Sequence, residues 1–213
     1  MSKTVAGIAV PDSPMARAAT ELVRDVESEL LFHHSSRVFL FGALSGEQKA
    51  LRFDSELLYI GAMFHDIGLT DAHRHSHERF EVDGANAARQ FLRGYRIAEQ
   101  DIADVWDAIA LHTTPGIAQH KQPVVALVTT GVEVDVLGLH FDEFTAQQRE
   151  EVVKAHPREE GFKRKIIECF GLGMAHRPAS TFGTVHADVM DRVDPKYRRL
   201  NYCGLILGSD WPD

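Results

Sequence analysis

The stretch Ala62-Met63-Phe64-His65-Asp66-Ile67-Gly68 decides how the chain is read. It closes a run from Glu56 to Leu69 in which Leu57, Leu58, Ile60, Met63, Phe64 and Ile67 leave almost no polar face, so the helix formed there belongs in a core. Asp66 sits inside that apolar run. An ionised carboxylate in such surroundings is costly unless it is paired, protonated or bound to a metal. Asp135 has the same problem, within Gly131-Val132-Glu133-Val134-Asp135-Val136-Leu137-Gly138. Two carboxylates brought together repel unless a cation lies between them. His65, beside Asp66, and His34, within Phe32-His33-His34-Ser35-Ser36-Arg37-Val38, can supply neutral nitrogens to that cation. Two imidazoles with two carboxylates suit Zn2+, Mn2+, Fe2+ or Ni2+ better than Ca2+ or Cu+. Consecutive helical side chains point about 100° apart. His65 and Asp66 can therefore share an ion only at a helix flank or end, and Gly68 is consistent with an ending.

Outward from this run the pattern stays helical. Ser13-Pro14 supplies an N-cap and a first-turn proline, and Pro14 to about Phe41 reads as two helices or one bent helix ending near Gly42 to Gly46. Glu81 to Arg93, Glu99 to Leu111, Thr145 to Ala155, Phe162 to Met174 and Thr184 to Val193 read as further helices. Val124 to Leu137 is rich in valine, which favours sheets, but its length and the lack of a second strand-like run make it a helix. The tail from Asn201 to Asp213, with Trp211, is expected to pack back onto the body. The fold class is therefore all-α: a single-domain helical bundle of roughly eight to ten helices over residues 1–213. Residues of about 25–140 carry the motifs, and 141–213 form a helical C-terminal extension.

Composition narrows the function classes. The net charge of -8, from 31 acidic and 23 basic residues, disfavours nucleic-acid and anionic-membrane partners. Two cysteines without CxxC spacing exclude a disulfide framework and fit a reducing compartment. The apolar run in Met1 to Val10 is too short for a signal peptide, and no stretch approaches the roughly 20 apolar residues of a membrane span. A cytoplasmic protein acting on a small molecule is expected, of a size compatible with a homodimer.

His34, then His65-Asp66, then a distant Asp135 resembles the ligand pattern of the HD superfamily of metal-dependent enzymes. The strings His34-Ser35-Ser36-Arg37-Val38, His65-Asp66-Ile67-Gly68, Phe80-Glu81-Val82-Asp83-Gly84-Ala85, Ala108-Ile109-Ala110-Leu111-His112 and Gly131-Val132-Glu133-Val134-Asp135 look like its cyanamide-hydratase-like branch. The resemblance implies one divalent metal ion, Zn2+ first, held by His34, His65, Asp66 and Asp135. It also implies an active-site role for His112 as proton donor or acceptor, against the alternative of a histidine that caps its helix. Two-metal relatives carry a further histidine where this chain has Phe80, so a single ion is expected. Arg37, three residues after His34, is a candidate for contacting substrate. Glu81 and Asp83 either face the site or favour the positive end of their helix. His73, His75 and His77 read as a solvated loop. The implied chemistry is addition of water to a nitrile-type carbon. A phosphohydrolase, which needs clustered Arg or Lys, and a non-catalytic sensor are the alternatives.

Overall fold

Short polar caps divide the chain into helices. The computed structural model describes residues 3–211. Ser13 accepts a hydrogen bond from the Ala16 amide and opens α1, Pro14–Val26. Ser28 does the same for the Leu31 amide and opens α2, Glu29–Gln48. The stretch from Pro14 onward is therefore two helices. α2 also runs on through Gly42 and Gly46, where the sequence reading ends it. Close packing explains those glycines: a Cβ on Gly42 would lie 2.6 Å from the Leu127 carbonyl oxygen, and one on Gly46 would lie 2.5 Å from the Phe53 ring. They let α2 approach its neighbour and do not terminate it.

Asp54 accepts from the Glu56 and Leu57 amides and opens α3, Ser55–Phe64. Then come α4, Phe80–Gly94, and α5, Glu99–Leu111. α6, Pro123–Val132, continues into one π-helical turn, Glu133–Leu137, stopped by Gly138 at φ +71°. The valine-rich run is thus helical, as its length predicts. α7, Ala146–Ala155, starts at a reciprocal cap between Thr145 and Gln148. α8, Phe162–Met174, α9, His186–Val193, and the short α10, Tyr202–Leu207, follow. A two-stranded ribbon, unforeseen in the sequence, pairs Thr4 with Ala9 and Val5 with Ile8. Its turn residues, Ala6 and Gly7, have positive φ, as a tight hairpin requires.

The main core is built by α1 to α6 around Phe39, Leu58, Ile60, Met63, Ile109 and Val128. A smaller cluster, including Leu31, Leu69, Phe80, Phe162, Ile166 and Met190, joins α8 and α9 to the starts of α2 and α4. His34, His65 and Asp66 lie at the seam between the two. The tail departs from expectation: Trp211 is 85% exposed and Tyr202 and Leu207 are exposed too, so α10 buries no apolar face among the described residues. Pro212 and Asp213, also part of that expectation, and Met1 and Ser2, part of the N-terminal reading, lie outside the described residues. Among the described residues no helix is long and apolar enough to cross a membrane.

Where α2 meets the end of α6, Gly131 faces the Val38 carbonyl oxygen, and a Cβ there would overlap that backbone atom. Backbone cannot yield without separating the helices, so Gly131→Ala should cost about 3 kcal/mol in urea denaturation. Gly94→Ala meets nothing within 4 Å and should leave stability unchanged or slightly raised.

Candidate metal centre

α3 ends at Phe64, and a 3-10 turn, Ile67–Leu69, follows at once. This break lets two adjacent residues face one point, as the sequence requires. Gly68 permits the turn, because a Cβ there would overlap the Phe80 carbonyl oxygen. His65 Nδ1 lies 2.6 Å from the Ala62 carbonyl oxygen, and His112 Nδ1, at the end of α5, lies 2.6 Å from that of Ile109. A carbonyl only accepts, so both Nδ1 atoms carry the proton and donate it. His34 Nδ1 donates likewise to Asp135 Oδ2 at 2.7 Å. All three Nε2 atoms are left with a free lone pair.

Those atoms converge. His34 Nε2 and His65 Nε2 are 3.2 Å apart, and lie 3.6 and 3.3 Å from Asp66 Oδ2. His112 Nε2 is 3.7 Å from Asp66 Oδ1. His34, His65 and Asp66 are wholly buried, and neither Asp66 oxygen has a hydrogen-bond partner among the described residues. Facing lone pairs and an orphaned buried carboxylate are stable together only around a positive charge. His34, His65 and Asp66 thus form a buried group able to hold a metal ion. In its absence, protons must fill that role. Burial opposes charge on Asp66, but protonated His65, followed by His34 and His112, would outweigh it and hold the carboxyl well below the usual range. Burial likewise opposes charge on His65, yet Asp66 raises it. His112 goes the other way: burial, then the charge on His65, pushes it down to about 4, so it is neutral at pH 7.

Asp135 is brought to the other nitrogen of His34. Its Oδ1 accepts from Arg37 Nε and Arg158 Nη1, both at 2.7 Å, and its Oδ2 accepts from His34 Nδ1 and from Arg37 Nη2 at 2.9 Å. Three of the four expected ligands therefore converge, and the fourth stands behind one of them. Burial would raise the Asp135 carboxyl, but His34 and Arg37 hold it well below the usual range. Arg37, expected as a candidate for contacting substrate, does not line the cavity beside the ligand group. Its side chain is fully buried, Nη1 donates to the His156 and Pro157 carbonyls, and the other guanidinium nitrogens are engaged by Asp135. Arg37 positions Asp135, which positions His34.

The ligand group opens into a cavity of about 420 Å³, whose lining also includes His112, Glu133, Lys163 and His186. His186 was not identified from the sequence. Its Nε2 stands 3.3 Å from Glu81 Oε1, which also accepts from Arg79 Nη2 at 2.7 Å and from the Thr113 hydroxyl. Burial raises the Glu81 carboxyl, but His186 and Arg79 bring it well below the usual range. No local signal marks this pair, because α9 reaches Glu81 only through tertiary packing. Phe80 packs its ring on His112 and His186 and offers no donor. Asp83 pairs with the buried Arg177, which also donates to the Gly68 carbonyl. His75 and His77 are exposed and His73 is half-buried, 3.9 Å from Asp83; none lines the cavity.

The sequence matches the family model described as HD domain over residues 31–161, more than half of the chain. Cyanamide hydratase DDI2 and cyanamide hydratase DDI3 of Saccharomyces cerevisiae are each 31% identical to it over 106 residues, covering 48% of this chain and 47% of the relative. The chain therefore spans about half the length of the curated relatives it matches.

Behind the centre, His33 Nδ1 lies 3.4 Å from His156 Nδ1. Burial, then Lys3 and His33, pushes His156 down to about 4. At His156 the folded state thus binds fewer protons than the unfolded chain between about pH 6.5 and 4. This contribution is complete above the unfolded value and is lost as pH falls through that window. His112 acts with the same sign. Thermal unfolding from pH 7.5 to 4.5 should show a steep fall in Tm, and His156→Gln should flatten it. An equal slope in the variant would remove His156 from the acid response.

Proposed function

The chain belongs to the HD-domain family of metal-dependent hydrolases, and within it we propose a hydratase that adds water to a nitrile-type carbon, as the names of the two yeast relatives indicate for them. The observation that carries the metal-dependent part of this reading is the pair of unpartnered, buried Asp66 oxygens beside the Nε2 atoms of His34 and His65. Zn2+ suits this donor set, as do Mn2+, Fe2+ and Ni2+. A divalent ion held there would supply a Lewis acid that lowers the pKa of a water and polarises the carbon–nitrogen bond.

The chain's own residues do the rest. His34, His65 and Asp66 hold the ion, and Asp135 fixes the tautomer of His34, a carboxylate–histidine arrangement that raises ligand basicity. His112 is neutral at pH 7 and borders the cavity. Its Nε2 takes a proton from the attacking water and returns it to the substrate nitrogen. With cyanamide as substrate, water adds across the C≡N bond and the product is urea.

The phosphate-ester alternative needs cations around the centre. Arg37 is engaged with Asp135, Arg79 with Glu81, and Arg74 lies on the exposed loop beside His75. Among the described residues, Lys163 is the one Lys or Arg on the cavity wall.

Protein purified without chelator or histidine tag should contain one divalent ion per chain by elemental analysis, and Asp66→Ala should lose it. Asp135→Asn, checked for folding by circular dichroism, should keep it with affinity reduced about 10- to 100-fold. If Asp135→Asn loses metal as completely as Asp66→Ala, Asp135 is itself a ligand. The same wild-type preparation should release urea from cyanamide; phosphate release from a phosphate monoester would reverse the assignment.

A further inference from the structure

The cavity is far larger than its reactive end needs. Cyanamide has three non-hydrogen atoms, whereas about 420 Å³ is room for a body of roughly ten or more. The wall beyond the ligand group is apolar and comes from three elements. Val132 and Val136 project from the end of α6 and its π turn, Ile166 and Phe170 from α8, and Val189 from α9. A surface of this kind offers water few hydrogen bonds and is filled favourably only by an apolar group.

The polar groups on the same cavity do not fit a charged tail. Lys163 is exposed and Glu133 is half-buried, so neither is a committed counter-ion. His186 faces Glu81. Three of the apolar wall residues, Ile166, Phe170 and Val189, lie beyond the family-matched residues 31–161. Much of this wall therefore comes from C-terminal helices outside the family-matched residues.

We propose that the substrate of this centre carries an uncharged apolar body, an alkyl or aryl group, which lies against α8 and α9 while its reactive head faces His34, His65 and Asp66. Resting on the hydratase reading, this makes the substrate an N-substituted cyanamide or a related nitrile. Water then adds across C≡N, oxygen bonding to carbon and both of its protons ending on the former nitrile nitrogen, to give the N-substituted urea from a cyanamide or the amide from a nitrile.

Product ligands test the body apart from the chemistry. Calorimetric titration of the metal-loaded protein with phenylurea should give a Kd at least about 30-fold below that for urea, because several carbon groups leave water together. Val189→Phe, and Ile167→Trp on α8, where Ile167 also lines the cavity, should each fill the cavity and abolish that preference while metal content stays at the wild-type level. In parallel, phenylcyanamide should be hydrated to phenylurea with a lower KM than cyanamide. Phenylurea binding no tighter than urea would overturn the proposal, as would an unchanged preference in both variants at full metal content. If neither cyanamide is hydrated but the phenylurea preference and its loss in the variants hold, the apolar body stands and the hydratase reading falls.

Discussion

Asp66 is a fully buried carboxylate whose oxygens have no hydrogen-bond partner among the described residues. Isolated, it would cost more than most single interactions in the fold supply. Its tolerance depends on the three imidazole nitrogens aimed at it, and much of the local structure keeps them so aimed. The helix breaks after Phe64 so that His65 and Asp66 face one way. The Ala62 and Ile109 carbonyls hold two rings in one tautomer, and Asp135 holds the third. The charge reaches further: burial, and then Asp66, raise the Glu27 carboxyl well above its usual value.

The polar ties behind the centre run to the C-terminal part of the chain. Arg158 donates to both the carboxylate and the carbonyl of Asp135, while Arg177 joins Asp83 to the carbonyl of Gly68. Both are buried or half-buried ion pairs, in which loss of one partner leaves the other stranded. The segment beyond residue 155 is therefore no passive appendix. It fastens the two carboxylate-bearing turns in place and closes the cavity over them.

How much of this was legible in the sequence depends on the range of the interaction. Helical periodicity and a cap located most helices, since Ser13 and the apolar run at Leu57 to Ile67 act within a turn or two. His34, His65 and Asp66 could be grouped because charged residues in apolar runs need partners. The sequence could not show which nitrogen of His34 faces which carboxylate, so the pairing of Asp135 with His34 Nδ1 and with the Arg37 guanidinium was not legible in it. Gly42 and Gly46 read as a helix end because close helix packing and termination use the same residue. His186 and Glu81 meet across 105 positions with no spacing to betray them, and Trp211 was assumed to be buried on hydrophobicity alone.

The cavity has two authors along the chain. The groups that would bind an ion and move a proton sit on α2 and just past the ends of α3 and α5, while much of the apolar wall sits on α8 and α9. Substitutions on the second set can reshape what enters without disturbing what reacts. Such a division lets selection vary substrate preference by small steps at Ile166, Ile167, Phe170 and Val189, each step leaving a working centre behind it.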